Sequence, residues 1–326
     1  MQGKDVSEQA TECKSYVGID VCESWLDIHI LPAAESFRLA NTSEGHKQLK
    51  RRLKAHDVEL VAIEATGKWH RALHRSLHAG GWRVAIVNPL RARLFAEAVG
   101  LLAKTDRLDA RMLALFAASL APPARPPTPA AIEELKELVQ ARSTAVAELT
   151  GLKNQRGTAE TAFLRQLLKQ RISRLAADIR ALEREILSRI KTDDSLARRY
   201  AILLSIPGIG PVVAATLLAR LDELGHATEK QIAMLVGLAP VADQSGNRDG
   251  NRVIRCGRSA VRRALYLAAL TATRHNPAMK LFYERLIAAG KPPKPALAAV
   301  ARKLVVLANA LLGQDRLWQP VAPNQA

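Results

Sequence analysis

Residues 15–30 read SYVGIDVCESWLDIHI, two short apolar runs that are typical of neighbouring β-strands. The first run ends on Asp20, directly after Val17, Gly18 and Ile19. A carboxylate at the edge of a sheet core destabilises the fold unless something compensates its charge. An arginine, a backbone cap or a metal ion could do so, and each alternative implies a different function.

The pattern that follows this pair predicts an α/β domain. Its order, β-β-β-α-β-α-β-α, is that of a ribonuclease-H-like (RuvC-like) sheet. The segments after the first two strands are SFRLAN (36–41), a helix beginning at Thr42 or Ser43, VELVAIEAT (58–66), a helix closed by Gly80 and Gly81, WRVAIVNP (82–89), and helices over 90–99 and 106–120.

The middle of the chain is predicted to be a linker followed by long helices. APPARPPTPA (121–130) contains too many prolines for a helix. From 131 to about 191, apolar residues recur at helical spacing, which predicts an antiparallel hairpin or coiled coil broken near Gly157.

The last third is predicted to be mainly α-helical. In IPGIGP, Gly208 and Gly210 lie between two apolar helices, a helix-hairpin-helix pattern whose glycines let backbone N–H groups approach a DNA phosphate. A plain packing joint between helices is the alternative. We expect a glycine- and arginine-rich loop over 237–257, helices over 258–275, 278–289 and 296–313, and three domains over 1–120, 121–195 and 196–326.

Charge is distributed unevenly along the 326 residues. The formal net charge is +17, with 17 basic and 14 acidic side chains in residues 1–120 but 31 basic and 17 acidic in residues 121–326. An excess of positive charge in one part of a chain indicates a polyanionic partner, most simply nucleic acid. The aromatic content of 4% argues against base stacking as the main grip.

The cysteines and apolar segments exclude other classes of protein. Cys13, Cys22 and Cys256 show no CxxC or Cys/His spacing, which argues against a structural zinc site and against a disulfide framework. The polar N-terminus does not resemble a signal peptide, and Arg302 and Lys303 interrupt the most apolar late stretch. We expect a cytoplasmic, nucleoid-associated bacterial protein.

Four carboxylates are candidates for a metal site. Glu64 ends the central strand, as Asp20 ends the first, and Asp106 and Asp109 lie one helical turn apart in KTDRLDA. Four converging carboxylates would repel one another unless divalent cations held them, and two Mg²⁺ ions could then activate a nucleophile at a phosphodiester. Taken singly, Asp106 could be an N-cap, Asp109 could interact with the helix dipole, and Glu64 could pair with Lys68.

A second candidate site lies in GLAPVADQSGNRDGNRVIRCGRSAVRRAL. A serine that attacks phosphorus requires neutralisation of the phosphate, which arginines supply through bidentate contacts. The alternative is that Gln244, Ser245 and Gly246 form an ordinary turn. The candidate nucleophile is Ser245, and the candidate nucleic-acid-binding side chains are Arg248, Arg252, Arg255, Arg258 and Arg262.

Together, GID, IEATG, KTDRLDA, IPGIGP and GLAPVADQSGNRDG resemble the DEDD-type insertion-sequence transposases. These are relatives of Piv-type DNA invertases and are described as bridge-RNA-guided recombinases. The resemblance runs from about Tyr16 to the final helix. It implies a RuvC-like nuclease domain, a coiled-coil middle and a C-terminal transposase domain. It also implies that Asp20, Glu64, Asp106 and Asp109 bind two Mg²⁺ ions, and that Ser245 forms a covalent phosphoserine link to DNA.

The resemblance further implies donor and target double-stranded DNA, a structured guide RNA and a dimer or tetramer as partners. In such an assembly the acids of one subunit can meet the serine of another. Three alternatives remain at this stage: a Piv-type invertase, a Holliday-junction nuclease that uses only the acids and water, and a non-catalytic nucleic-acid-binding protein.

Overall fold

The computed structural model describes residues 14–101, 106–245, 248–254 and 256–320, with side chains left undescribed at 106–108 and 241–253. The chain divides into two compact units, Met1–Thr128 and Pro129–Ala326. The helical hairpin predicted for the middle of the chain belongs to the second unit. Further division of that unit at residue 195 stays a prediction.

The first unit contains the α/β domain that the sequence predicts. Its five-stranded sheet has the order β3-β2-β1-β4-β5, in which β1, β4 and β5 are parallel and β2 is antiparallel to both β1 and β3. This arrangement is consistent with an RNase-H-like domain. The elements are β1 (Ser15–Val21), β2 (Trp25–Leu31), β3 (Glu35–Ala40), α1 (Ser43–Leu53), β4 (Val58–Glu64), α2 (His70–Ala79), β5 (Val84–Val87), α3 (Pro89–Ala98) and α4 (Asp106–Leu120).

The two faces of β1 pack against different helices. Val17, Ile19 and Val21 lie in one apolar cluster with side chains of α1 and α2. Tyr16 packs on the opposite cluster, together with apolar residues of β4, β5 and α4. Because side chains alternate along a strand, Asp20 lies on the α4 face.

Gly18 allows α4 to lie directly against β1. A Cβ atom at Gly18 would stand 2.0 Å from the Ala110 carbonyl oxygen and 2.3 Å from the Ala114 nitrogen. Any side chain there would therefore push the helix off the sheet. Packing against α4, which lies about 90 residues further along the chain, therefore explains why the GID motif has a glycine at this position.

Gly18→Ala is expected to destabilise the first unit by about 3 kcal/mol, because the added methyl group meets helix backbone that cannot move aside cheaply. Tryptophan fluorescence during urea unfolding would measure this loss, since Trp25, Trp69 and Trp82 belong to this unit. The matched control is Gly151→Ala, whose Cβ would meet nothing within 4 Å. An unchanged unfolding midpoint in Gly18→Ala would contradict the close packing.

The second unit begins with two long helices that form an antiparallel hairpin. Ion pairs join Glu134 to Arg189, Arg142 to Glu183, and Glu148 to Arg171. The residue numbers increase along the first helix as those of their partners decrease along the second, so the helices are antiparallel. The chain turns at 159–161, close to the break predicted at Gly157. These helices are α5 (Ala130–Thr158) and α6 (Ala162–Thr192). Whether they form a coiled coil in the strict sense stays a prediction.

The rest of the second unit is mainly helical and shares one apolar core. In that core, the amide of Asn309 accepts a hydrogen bond from Gly225 N at 2.8 Å and donates one to the Ala227 oxygen at 2.7 Å. The elements are α7 (Asp194–Ser205), α8 (Pro211–Arg220), α9 (Glu229–Leu235), β6 (Pro240–Ser245), β7 (Arg248–Ile254), α10 (Ser259–His275), α11 (Pro277–Ala288) and α12 (Pro293–Gly313).

Among the described residues, α12 is long and apolar enough to cross a membrane by length and composition alone. Half of its most apolar window is buried inside the protein, and Val300, Leu304 and Ala308 are fully buried in the core. A core helix of this kind passes the same test. The packing of α12 therefore agrees with the expectation that it is not a membrane span.

The predicted loop over 237–257 is wrong, because β6 and β7 form an antiparallel hairpin there. The strand sequences PVADQS and RDGNRVI contain Asp, Asn and Gly, which are depleted in strands. Their composition therefore predicts a loop and not two strands. Two residues, Gly246 and Asn247, separate the strands and lie outside the described residues. A Gly-Asn pair between two runs is nevertheless a hairpin signal in sequence.

Candidate functional site

Asp20 and Glu64 come to the same edge of the sheet. The parallel register pairs Ile19 with Ile63, so the next residue of each strand is one of the two acids. Neighbouring strands lie about 4.8 Å apart. Both carboxylates are half-buried, and the Asp20 Oδ1 accepts a hydrogen bond from Val21 N at 2.9 Å. A backbone cap is therefore part of the answer to how the sheet tolerates Asp20.

The other two predicted acids lie at the start of α4, the helix that covers this face. Asp106 is the first residue of α4, and Asp109 immediately precedes Ala110, whose carbonyl oxygen approaches Gly18. Asp109 is half-buried, whereas the side chain of Asp106 is outside what the structure describes. Within the described side chains, no three His, Cys, Asp or Glu residues form a group that could hold a metal ion.

The chemistry of these residues nevertheless fits Mg²⁺. Carboxylate oxygens are its preferred protein ligands, and one or two carboxylates completed by waters and substrate phosphates are a common arrangement. Asp20 and Glu64 provide two such carboxylates at neighbouring strand ends. Lys68, the alternative partner predicted for Glu64, places its ammonium group over the Trp69 ring, 4.8 Å from the centroid.

A fifth carboxylate, Asp27, lies opposite Asp20 on β2 and is already neutralised. Arg38 binds it in bidentate fashion, with Nε to Oδ1 at 2.9 Å and a terminal nitrogen to Oδ2 at 2.8 Å. Sequence alone does not predict this pair, because it depends on the pairing of β2 with β3, which places the two residues side by side. Asp27 is therefore an ion-paired structural acid beside the candidate site.

His29 lies on β2 opposite Gly18, also under α4. Its Nδ1 is 2.7 Å from Ser36 Oγ, while its buried Nε2 has no hydrogen-bond partner among the described residues. Burial, and secondarily the positive charge of Arg111, hold the pKa of His29 below its ordinary value. The imidazole is therefore neutral at physiological pH and adds no positive charge beside the acids.

In the second unit, Ser245 is the last residue of β6. Its backbone pairs with Arg248, the first residue of β7, across the two-residue connection. The candidate serine thus lies at the end of a β-hairpin, in a register that places a candidate phosphate-binding arginine opposite it. The side chains of Ser245, Arg248 and Arg252 are outside the structural description, and Arg255 lies outside the described residues altogether.

Arg258 and Arg262 anchor the base of this hairpin. The Arg258 guanidinium donates to both carboxylate oxygens of Glu223, at 2.6 and 2.8 Å, and to the Arg220 carbonyl at 2.9 Å. Arg262 donates to the Cys256 carbonyl at 2.5 Å. Gly257 has a φ of +72°, and a Cβ there would stand 2.3 Å from Gly237 N. These contacts fasten the chain leaving β7 to the segment that precedes β6.

Arg258→Gln is expected to destabilise the second unit by about 1–3 kcal/mol, because it breaks charge-assisted hydrogen bonds. Combining it with Glu223→Gln should give less than the sum of the two single losses, which a double-mutant cycle on denaturant unfolding would measure. Arg263→Gln, at an exposed position on the same helix, is the control. Unchanged stability together with weakened DNA binding would instead identify Arg258 as a direct phosphate contact.

The two glycines of IPGIGP differ in surroundings. A Cβ at Gly208 would stand 2.6 Å from the Ala272 Cβ, so packing of this turn on α10 is sufficient to require glycine. Gly210 is the N-cap residue of α8, and a Cβ there would meet no described atom within 4 Å. Of the pair, only Gly210 leaves open space for a phosphate. The helix-hairpin-helix assignment stays a prediction.

Comparison with known families gives two matches along this chain. Residues 17–170 match the model of a DEDD-type IS110 transposase, and residues 200–284 match the model described as the transposase IS116/IS110/IS902 family. The first match includes all four predicted acids. The second includes Ser245, the β6–β7 hairpin and Gly210.

Individual relatives are similar over different extents. The pilin gene-inverting protein of Moraxella bovis is 28% identical over 314 residues, which are 93% of this chain and 97% of that protein. The insertion element IS900 42 kDa protein of Mycobacterium paratuberculosis is 33% identical over 49% of this chain and 42% of its own length. The IS116 44.8 kDa protein of Streptomyces clavuligerus is 35% identical over 43% of this chain and 35% of its own length.

Proposed function

Since the chain belongs to the IS116/IS110/IS902 family of transposases, and is thus a DNA transposase or recombinase, we propose that it cleaves and rejoins DNA strands at a composite site. The acids around Asp20 and the nucleophile Ser245 would supply the catalytic groups, whether from one chain or from two subunits. The register of β1 and β4 carries the proposal, because it brings Asp20 and Glu64 together on the face covered by α4. In this proposal Asp106 and Asp109 complete the acidic set.

Asp20 and Glu64, with Asp109 and Asp106 from α4, would hold one or two Mg²⁺ ions. When bound, such ions neutralise a scissile phosphate and lower the pKa of a coordinated oxygen nucleophile. The half-buried setting of the two strand-end carboxylates excludes part of the surrounding water, which strengthens their attraction for a cation. The bidentate Arg38 keeps the neighbouring Asp27 out of this set.

Ser245 would be the nucleophile. Its Oγ forms a bond to phosphorus as the bond from phosphorus to the leaving deoxyribose oxygen breaks. The serine proton passes to a carboxylate or solvent base, and the leaving oxygen takes up a proton. Attack by the freed strand end reverses these bonds and releases the serine. The position of Ser245 at the tip of an anchored hairpin, with Arg248 in register, supports this role.

We further propose that a structured RNA selects the donor and target DNA by base pairing, so that the protein contacts mainly shape and backbone. The charge of residues 121–326, 31 basic against 17 acidic side chains, supports binding of more than one polyanion. A homo-oligomer would let the acids of one subunit meet the serine of another. We also propose that the protein acts in the cytoplasm, at the nucleoid, where its DNA partners lie.

Two assays test the function. Purified full-length protein with its copurified RNA is expected to cut and join element-end DNA only when Mg²⁺ is present, and sequencing that RNA should reveal segments complementary to both DNA partners. Strand joining that persists in excess EDTA would contradict the metal-dependent mechanism. Activity that survives complete RNA removal would contradict the guided one while leaving the recombinase function intact.

Inversion of a fixed DNA segment is the second candidate outcome. It is favoured by the similarity to pilin gene-inverting protein over nearly the whole of both chains, whereas the insertion-element relatives match less than half of their length. A reporter plasmid carrying two inverted sites would give an inverted segment in this case. A transposase would instead give excised circles and new insertions from the same cells.

A further inference from the structure

The α5–α6 hairpin changes in charge along its length. Its outer part, residues 149–174, contains six basic and one acidic side chains, and we call this part the hairpin tip. The remaining residues of the two helices, 130–148 and 175–192, contain six basic and seven acidic side chains. The positive charge of the hairpin is therefore concentrated at its tip.

Most of the tip cations are free to bind a ligand. Lys153, Arg156, Lys169 and Arg174 are exposed and form no ion pair in the described part of the chain. Arg171 pairs with Glu148 at 3.8 Å, and Arg165 donates to the Ala159 carbonyl at 2.8 Å. Four uncompensated cations at the end of a two-helix arm provide a compact site for phosphates.

Beside these cations, the tip exposes an aromatic ring. Phe163 is 80% exposed, the largest exposed fraction among the large apolar side chains described, and Leu164 and Leu167 beside it are 41% and 43% exposed. The buried cluster beneath them consists of Leu152, Ala159 and Leu168. Phe163 thus lies on top of a packed tip and takes no part in that core.

The backbone that carries Phe163 is well fixed. Thr161 caps α6 by accepting a hydrogen bond from Leu164 N at 3.3 Å, and the bond from Arg165 to Ala159 closes the turn. A ring held on an ordered helix end loses little conformational entropy when a ligand stacks on it. Gly151 and Gly157 face open space, so no packing contact in the described part of the chain explains either glycine.

We propose that the hairpin tip binds an unpaired loop of a folded RNA, with Phe163 stacking on an exposed base and the four free cations contacting adjacent phosphates. Exposed amides at Asn154, Gln155, Gln166 and Gln170 supply donors and acceptors for base edges. Duplex DNA keeps its bases stacked, whereas RNA loops present them to aromatic side chains. The inference rests on the proposed function insofar as that function includes an RNA.

A second copy of the chain fits this surface less well. Two tips with a formal net charge of +5 each would repel one another. The tip also exposes only three large apolar side chains among the described residues, Phe163, Leu164 and Leu167. A stable protein–protein interface uses roughly 20–30 residues from each partner, so this apolar patch is small for one. Charge and size therefore both favour a polyanion.

The test measures fluorescence anisotropy of a labelled RNA hairpin with an unpaired loop, titrated with full-length protein at physiological salt. Phe163→Ala is expected to weaken binding roughly 5- to 150-fold, the range for loss of one stacked base, whereas Phe163→Trp should retain it. Leu281→Ala, which removes another highly exposed apolar side chain, should bind like the unmodified protein. Circular dichroism of each variant checks that the helices are retained.

The cations give a second readout. Replacing Lys153, Lys169 and Arg174 together by glutamine should lower the slope of log Kd against log salt by about 2. A 4-thiouridine in the loop should crosslink to the peptide that contains residue 163. The same RNA annealed as a blunt duplex should bind more weakly, and its affinity should not depend on Phe163.

Several outcomes would overturn the proposal. The first is that Phe163→Ala binds the RNA loop as tightly as the unmodified protein, or that duplex and loop binding depend equally on Phe163. The second is that the unmodified protein does not bind RNA. The third is that Phe163→Ala loses only self-association or only binding to anionic vesicles. Magnesium-dependent DNA cleavage is measured separately. If the unmodified protein does not cleave DNA, the proposed function is refuted, but the RNA titration is unaffected. Failure of the proposed function and failure of the RNA-binding proposal can therefore be told apart.

Discussion

Asp20→Asn should lower the rate of magnesium-dependent DNA strand cleavage by about 10³-fold or more. Stabilisation of transition-state charge by a bound metal ion amounts to several kcal/mol, and each 1.4 kcal/mol or so corresponds to a tenfold change in rate. Asparagine keeps the size of aspartate and an oxygen that can accept the bond from Val21 N. Glu64→Gln should have a similar effect. Ile63 pairs with Ile19, so Glu64 lies beside Asp20 at the end of the neighbouring strand and would bind the same metal.

The readouts for these variants separate metal binding from folding. Calorimetric titration with Mg²⁺ should show weakened binding in Asp20→Asn, while its urea unfolding midpoint should stay close to that of the unmodified protein. Glu44→Gln, which removes an exposed carboxylate of α1 that interacts with Lys47 at 3.5 Å, should change neither cleavage nor Mg²⁺ affinity. Full cleavage activity in Asp20→Asn would end the metal-site hypothesis.

The two strand-end acids could be predicted because each one directly follows an uninterrupted apolar run. The runs that end on Asp20 and Glu64 are continuous and apolar, as expected for strands covered on both faces. The register that aligns them could not be read from sequence, because a slip along either strand would preserve both runs. It depends on the apolar cluster on one face and on the fit of Gly18 to α4 on the other.

Non-local ion pairs explain what the sequence analysis missed around both candidate sites. Arg38 neutralises Asp27 only because β2 pairs with β3, and Arg258 meets Glu223 across 35 residues of chain. Neither partner is identifiable from local charge. A run of arginines in sequence predicted phosphate contacts, yet the two whose side chains are described serve first to fasten the hairpin that carries Ser245.

The β6–β7 hairpin shows where turn chemistry should outweigh composition. Asp, Asn and Gly in PVADQS and RDGNRVI argued for a loop, whereas the two-residue Gly-Asn separation argued for a hairpin. The distinction matters for function, because a hairpin holds Ser245 in register with Arg248 and a loop would not. Backbone pairing therefore gives the candidate nucleophile a defined position.

Ser245→Ala should eliminate the covalent protein–DNA species and lower strand exchange by at least roughly 10⁴-fold, the scale seen when nucleophiles are removed from other enzymes. The physical reason is that alanine has no oxygen to bond to phosphorus, while the backbone pairing of residue 245 with Arg248 requires no side chain. Denaturing gel electrophoresis with end-labelled DNA would detect the adduct directly. Binding of DNA and RNA should persist.

The matched control is Ser259→Ala, an exposed serine at the first position of α10, which should leave the adduct unchanged. If Ser245→Ala still cleaves DNA at the normal rate but forms no adduct, the acids must use water, as in a Holliday-junction nuclease. Mixing Ser245→Ala with Asp20→Asn adds a further distinction, because each inactive variant retains the half of the site that the other lacks. Recovered covalent adduct in the mixture would mean that acids and serine meet between subunits, because one intact site suffices for one adduct, whereas its continued absence would mean that both come from one chain.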